Sequence, residues 1–202
     1  MENVNARLET FCDGVFAIAL TLLIIDIKIP SNVEINSVAE FWNALYFITP
    51  SILAFILSFV VIFITWVNHH NALKLVKKSS ASFIYANGFL LFTVVFMPFP
   101  TSLLGEYLFT DHAAPAVMLY DALLALQALG WVLFINAALK YHLGKHDEAV
   151  KTALQNRQFG YFALGLYSLC TVMAIWFPLY VALFTLLTWI FWLIVGIIMK
   201  VE

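Results

Sequence analysis

The chain has 202 residues, of which 63% are hydrophobic and 11% are charged, and its formal net charge is −2. Soluble domains average roughly 45–50% apolar and about 25% charged residues, so the composition excludes both a soluble globular domain and a disordered chain. The slightly negative charge offers no basic surface for nucleic acid, which we do not expect as a partner. The sequence therefore predicts an all-α integral membrane protein.

Six apolar segments have about the length that a membrane-spanning helix needs, roughly 20 residues. In chain order they cover residues 8–29, 41–68, 83–104, 114–141, 159–176 and 179–199. The first is not expected to be a cleaved signal peptide, because Asp13 interrupts it and no basic leader precedes an apolar run. We expect residues 1–202 to form a single domain of six transmembrane helices.

The basic residues predict the orientation of these spans. Of the 10 Lys and Arg residues, all but Lys28 fall on the side of the membrane that holds both termini. Loops that remain in the cytoplasm are enriched in Lys and Arg. Both termini are therefore predicted to be cytoplasmic. On the opposite side, the connection over residues 105–113 carries Glu106 and Asp111 but no basic residue.

The first span is unusual because it contains Asp13. The uncharged run over residues 14–25 would cover about 18 Å of a roughly 30 Å hydrocarbon core, so a spanning helix must carry Asp13 to membrane depth. Ionisable groups at that depth face protein or water and commonly mark function. We expect the carboxylate to bond a neighbouring helix. The candidate donors are Trp66, His69 and Asn87, which the topology places at the same membrane level.

One face of the first span carries stacked apolar side chains with a hydroxyl at its edge. At about 100° per residue, this face, which we call the Ile18 stripe, comprises Phe11, Gly14, Ile18, Thr21, Leu22 and Ile25. Asp13 projects from the opposite side of the helix. Periodicity alone favours ordinary helix packing over a functional surface, and both interpretations stay open at this point.

The sequence lacks the usual marks of several other membrane proteins. The connection over residues 176–179 is too short for a re-entrant pore loop, and no TVGYG filter occurs.

Nucleotide-binding and zinc-protease motifs are absent, so we expect neither an enzyme nor a cofactor. The histidine pairs at 69–70 and 142/146 lack an accompanying carboxylate motif, and we predict no metal site. Cys12 and Cys170 are expected to be small core side chains.

A longer motif opens the first span. It reads Arg7-x-x-x-Phe11-Cys12-Asp13-Gly14, followed by Ala17-Ile18-Ala19-x-Thr21-Leu22-Leu23. Further marks are Trp66-x-x-His69 in the second span, and Asn87 and Pro98-Phe99-Pro100-Thr101 in the third. Together they resemble the transmembrane protein 175 family of potassium channels. The family pattern is R-x-x-x-F-S-D, so Cys12 stands where the family has serine.

The resemblance implies a homotetramer of six-span subunits in a lipid bilayer, with the first span of each subunit lining a central pore for potassium ions. The implied pore constriction consists of Ile18, Leu22 and Ile25, with Thr21 as a hydroxyl layer for selectivity. The implied anchor of the first span consists of Arg7, Phe11 and Asp13, held by Trp66, His69 and Asn87. A single six-span unit resembles the prokaryotic form, which implies the cell membrane.

The predicted function is thus a potassium-favouring cation channel with an aliphatic gate. The alternative is a proton-coupled secondary transporter, or a proton leak through the same pore, with Asp13, Asp121 or His69 as a relay. No inverted repeat or pair of broken helices supports a transporter. Asp121 lies near the outer end of the fourth span and is expected to be solvated.

Overall fold

The computed structural model describes residues 5–25, 27–28, 35–77, 79–141 and 147–198. Within these ranges the chain forms helices, which confirms the all-α prediction. In chain order they are α1 (Ala6–Leu22), α2 (Val38–Phe47), α3 (Thr49–Leu75), α4 (Ala81–Phe96), α5 (Pro98–Tyr107), α6 (Ala113–Tyr141), α7 (Asp147–Met173) and α8 (Pro178–Ile198).

Two predicted spans are each built from two helices. The second span divides at Ile48, where α2 ends and α3 begins with Pro50 in its first turn. The third span divides at Met97, and Pro98 opens α5. Proline has no amide hydrogen and its ring clashes with the carbonyl four residues earlier, so it is tolerated at a helix start and interrupts a helix interior.

Among the residues whose side chains the structure describes, three helical stretches are long and apolar enough to cross a membrane. They are Thr49–Leu75, Ala81–Tyr107 and Ala113–Lys140. α1 has 17 residues and α8 has 21. α7 begins at Asp147, well before the predicted start of the fifth span at residue 159, and its first three turns are charged. The predicted span ends Ile29 and Met199 lie outside the described residues, and a count of six spans stays a prediction.

The centre of the bundle is formed by α3, α6 and the α4–α5 pair. α6 packs against α4, α5, α7 and α8, while α3 packs against α1, α2, α5 and α8. Small residues permit the closest approaches: a Cβ on Gly105 would lie 2.7 Å from the Cα of Ser51, and one on Gly130 would lie 3.1 Å from the Cα of Leu90. Such close packing between backbones is typical of membrane helices.

α1 lies along one side of this bundle, against α3 and α4. At its beginning, the side-chain amide of Asn5 donates to the carbonyl of Val76, directly after α3, across 2.7 Å. Beyond its end, Lys28 Nζ lies 3.2 Å from Glu106 Oε2 on α5. The ion pair is exposed and contributes little stability, but the two contacts show that α1 and the turn after it extend along α3 in the opposite direction.

Candidate functional site

Asp13 is partly buried on α1 and faces α3. The indole Nε1 of Trp66 donates a hydrogen bond to its Oδ1 across 2.8 Å. A carboxylate removed from water is costly unless donors compensate it, and a hydrogen bond to a charged group is stronger than a neutral one. The bond therefore favours one rotational setting of α1 against α3.

A second polar contact links α1, α3 and α4. The Asn87 amide donates through Nδ2 to the Cys12 sulfur across 3.1 Å, and its Oδ1 lies 2.7 Å from His69 Nε2. An amide oxygen only accepts, so Nε2 of His69 carries the proton. All three side chains are buried. Cys12 is thus a core residue as expected, and it is also a hydrogen-bond acceptor.

Aromatic packing holds the His69 ring in place. Its centroid lies 5.3 Å from that of Phe16 on α1 and 5.2 Å from that of Phe134 on α6. Two turns before Phe16 on α1, Glu9 Oε1 lies 3.4 Å from His70 Nδ1, an ion pair when that imidazole is protonated. The residues that α1 turns toward the bundle therefore recur every three or four positions, as one helical face requires.

The predicted donors to Asp13 divide into two groups. Trp66 makes the bond, whereas His69 and Asn87 bond each other, and Asn87 also bonds Cys12. The sequence places these residues at one level of the bundle, but the pairing depends on which side chain each rotamer brings within reach.

Arg7 and Phe11, the other predicted anchor residues, are exposed in the single subunit. Phe11 is 61% exposed, and Arg7 is also on the surface. Both lie on the side of α1 that faces away from α3 and α4.

The Ile18 stripe is exposed along its whole length. Ile18 is 61%, Leu22 40% and Ile25 70% exposed, while the opposite face buries Cys12, Phe16, Ala19 and Leu23. Ile25 lies in the turn after α1, where its amide donates to Leu22 O across 3.1 Å. The Thr21 hydroxyl donates to Ile18 O across 2.9 Å. The hydroxyl hydrogen is therefore used within the helix, and the lone pairs of the oxygen remain available to groups outside it.

The expectation that Asp121 is solvated is wrong. Its side chain is fully buried between α6 and α8, where the Thr185 hydroxyl donates to Oδ1 across 2.8 Å. Oδ2 has no hydrogen-bond partner among the described residues. The chain position suggested a solvated span end, but α8 packs over this part of α6 and excludes water from it.

Metal ligands are not grouped in the part of the chain that the structure describes. No cluster of three or more His, Cys, Asp or Glu side chains is found there. His142 and His146 lie outside the described residues, as do the loop lysines Lys78, Lys145 and Lys200.

The fold and the site together define a multi-helix membrane protein whose first helix is held by buried polar contacts and exposes an apolar stripe on its other face. The model of the endosomal/lysosomal potassium channel TMEM175 family matches residues 7–98 of this chain. A potassium channel of a Chryseobacterium species is 32% identical over 192 residues, which cover 94% of this chain and 93% of the relative. The chain belongs to the TMEM175 family.

A further relative and a solved structure are also similar to this chain. A potassium channel of Chamaesiphon minutus is 44% identical over 119 residues, which are 59% of this chain and 58% of that protein. The crystal structure of a lysosomal potassium-selective channel TMEM175 homolog from Chamaesiphon minutus superimposes with a TM-score of 0.84 at 32% identity, covering 94% of this chain and 96% of the other.

Proposed function

We propose that this chain forms a passive, potassium-favouring cation channel in the cell membrane, assembled as a homotetramer with α1 lining the central pore. Bacterial relatives named potassium channels support conduction of this ion. The observation that carries the pore assignment is the two-sided character of α1, which bonds α3 and α4 on one face and exposes the Ile18 stripe on the other.

The composition of the exposed face favours a pore or a subunit contact over lipid. Besides its aliphatic residues, this face carries Thr21 and Gly14, and a Cβ added to Gly14 would meet no atom within 4 Å. Gly14 has no packing partner in its own subunit, and contact with lipid would give a glycine no stabilising interaction. Glycine is common where membrane helices approach one another closely, as four copies of α1 would around an axis.

The gate in this proposal is a ring of aliphatic side chains. Ile18, Leu22 and Ile25 lie on the exposed face at successive levels of α1 and the turn after it. Four copies meeting at an axis would make a narrow apolar constriction, which closes a pore by expelling water. Opening then requires only a small outward shift or rotation of α1.

Selectivity is assigned to Thr21. With its hydrogen donated to Ile18 O, each hydroxyl presents lone pairs, and four of them would form one layer of weak oxygen ligands for a cation. Hydroxyl dipoles are weaker than a stack of backbone carbonyls, so we expect modest discrimination between potassium and sodium. No cofactor or catalytic group enters this mechanism.

The alternative of a proton-coupled transporter rests on Asp121, whose buried carboxylate has an oxygen without a partner in the described chain. Purified protein in planar bilayers separates the two functions. The channel predicts ohmic current whose reversal potential shifts towards the potassium equilibrium potential, with protein-free bilayers as the control. Saturable uptake with a pH optimum and no current would support the transporter, and absence of potassium current under every gradient and voltage would refute the channel.

A further inference from the structure

An exposed ion pair lies just beyond the end of α1. Lys28 Nζ lies 3.2 Å from Glu106 Oε2 of α5, and the two side chains are 78% and 49% exposed. Lys28 is the only Lys or Arg that the charge pattern of the sequence places on the outer side of the membrane. An ion pair this exposed contributes little to stability, so its effect is to be sought in the charges themselves.

Lys28 lies close to the outer end of the Ile18 stripe. It follows Ile25, the last residue of the stripe, by three positions, so the Cα atoms of these two residues are at most about 11 Å apart. The Ile25 amide donates to Leu22 O across 3.1 Å, and the Ile27 amide donates to Ile24 O across 3.3 Å. These turns keep the chain compact after α1 and hold Lys28 near the stripe.

Four unpaired lysines at the outer mouth of the proposed pore would repel cations. The Debye length is about 10 Å at 0.1 M salt and about 30 Å at 0.01 M, so a charge within about 11 Å of Ile25 acts on ions near that residue. A mouth lined by charges of one sign changes the local concentration of the permeant ion. A carboxylate beside each ammonium group makes the pair neutral and removes this repulsion.

Glu106 also draws the lysine charge away from the stripe. α5 packs against α3 and α6, whereas the Ile18 stripe lies on the exposed face of α1, turned away from α3. Pairing with Glu106 therefore holds the Lys28 ammonium on the bundle side of α1. The lysine stem is long and flexible, so without Glu106 the charge is free to move toward the mouth.

We propose that Glu106 neutralises Lys28 at the outer mouth of the pore and thereby raises the rate at which potassium enters from that side. This role rests on the proposed function, because it requires α1 at a central axis. It adds a determinant of conductance outside the aliphatic constriction and the Thr21 layer. The alternative is a pair that only ties the end of α1 to α5, and the two roles predict different signs for the effects of substitution.

Single-channel currents of the full-length protein in planar bilayers with symmetrical KCl test the role of the pair. Glu106→Gln leaves four unpaired ammonium groups, so we expect the current of one polarity, entry from the outer side, to fall about three- to tenfold at about 0.01 M KCl. Lys28→Gln leaves four unpaired carboxylates and should raise the current of that polarity. Both changes should nearly vanish at about 1 M KCl, where the Debye length is about 3 Å.

The double variant Lys28→Gln/Glu106→Gln separates charge from tethering. It carries neither charge, so its current should lie close to that of wild type. A structural tie would be lost in both single variants and in the double variant, and all three would then change in the same direction. The matched control is Asp111→Asn, at an exposed acid of the same outer connection that forms no ion pair among the described residues. It leaves Lys28 neutralised and should change the current little.

Three results would overturn this role while leaving the proposed channel intact. They are equal low-salt currents in wild type and Glu106→Gln, changes of the same sign in both single variants, and a loss in Asp111→Asn as large as in Glu106→Gln. The last result would mean that the outer surface acts through its total charge and not through this pair. Absence of current in the wild-type protein would instead refute the proposed function, and this role with it.

Discussion

Trp66 Nε1 donates a 2.8 Å hydrogen bond to Asp13 Oδ1, which joins the helix that exposes the Ile18 stripe to the central helix of the bundle. Asp13 and the stripe project from opposite sides of α1. A bond that fixes the rotation of α1 on one side therefore also fixes which side chains the other side presents. The Asp13–Trp66 bond therefore determines which face of α1 is presented to the proposed pore.

The Asp13–Trp66 bond should be measurable as a coupling in stability. Trp66→Phe leaves the carboxylate without its indole donor, and Asp13→Leu leaves the indole without its acceptor. A hydrogen bond to a charged group contributes about 1.5–3 kcal/mol, so we expect each variant to destabilise the protein by about that amount and the double variant by less than the sum. Equilibrium unfolding in detergent measures the free energy of unfolding of the two single variants and of the double variant.

The control for this cycle is Trp42→Phe, a matched change at a tryptophan that is 65% exposed on α2. It should leave the free energy of unfolding nearly unchanged. Strict additivity of the Asp13 and Trp66 variants would show that the two side chains act independently, contrary to the contact.

Cys12 offers a second test of the contacts behind α1. Cys12→Ser places a stronger acceptor where Asn87 Nδ2 now donates to sulfur, so we expect equal or slightly greater stability. Cys12→Ala removes the acceptor and leaves the buried amide unpaired, at a cost of about 1–3 kcal/mol. Thermal melting compares the two variants. An equal effect of serine and alanine would show that the Asn87–Cys12 bond contributes nothing.

The proposed gate predicts that polar substitution opens the pore. Ile18→Asn should wet an apolar ring and raise the potassium current at a given voltage, since such a ring closes by dewetting. Ile18 is 61% exposed in the subunit, so the change does not disturb its core. Ile190→Asn, at an isoleucine of α8 that is 44% exposed, is the matched control and should leave the current as it was. Equal currents in wild type and Ile18→Asn would remove Ile18 from the gate.

Thr21 can be tested with one variant that removes its side-chain oxygen and one that keeps it. Thr21→Val keeps the volume but removes the oxygen, whereas Thr21→Ser keeps the oxygen. We expect valine to lower the potassium-to-sodium permeability ratio and serine to preserve it, as measured from reversal potentials under bi-ionic conditions. If valine leaves the reversal potential unmoved, Thr21 is not the selectivity layer.

Helical periodicity was sufficient to predict which face of α1 carries Phe11, Ile18, Leu22 and Ile25, because a regular helix sets the angle between residues. It could not predict that His69 bonds Asn87 and not Asp13, since this depends on rotamers and on distances between helices. Nor could it predict the burial of Asp121. That burial depends on how α8 docks against α6, a long-range arrangement that no local pattern records.

Asp121 allows the channel and the transporter to be distinguished in one variant. Asp121→Asn keeps an oxygen to accept from Thr185 but removes the titrating carboxylate. It also removes the possibility of an uncompensated buried charge, so the free energy of unfolding should stay equal or rise.

We expect potassium current to persist at wild-type level in Asp121→Asn, because the proposed pore lies on α1 and not between α6 and α8. Liposome flux of potassium and of protons, measured in parallel, checks this. Loss of ion movement in a variant that still folds would make Asp121 part of the transport path and favour the proton-coupled alternative.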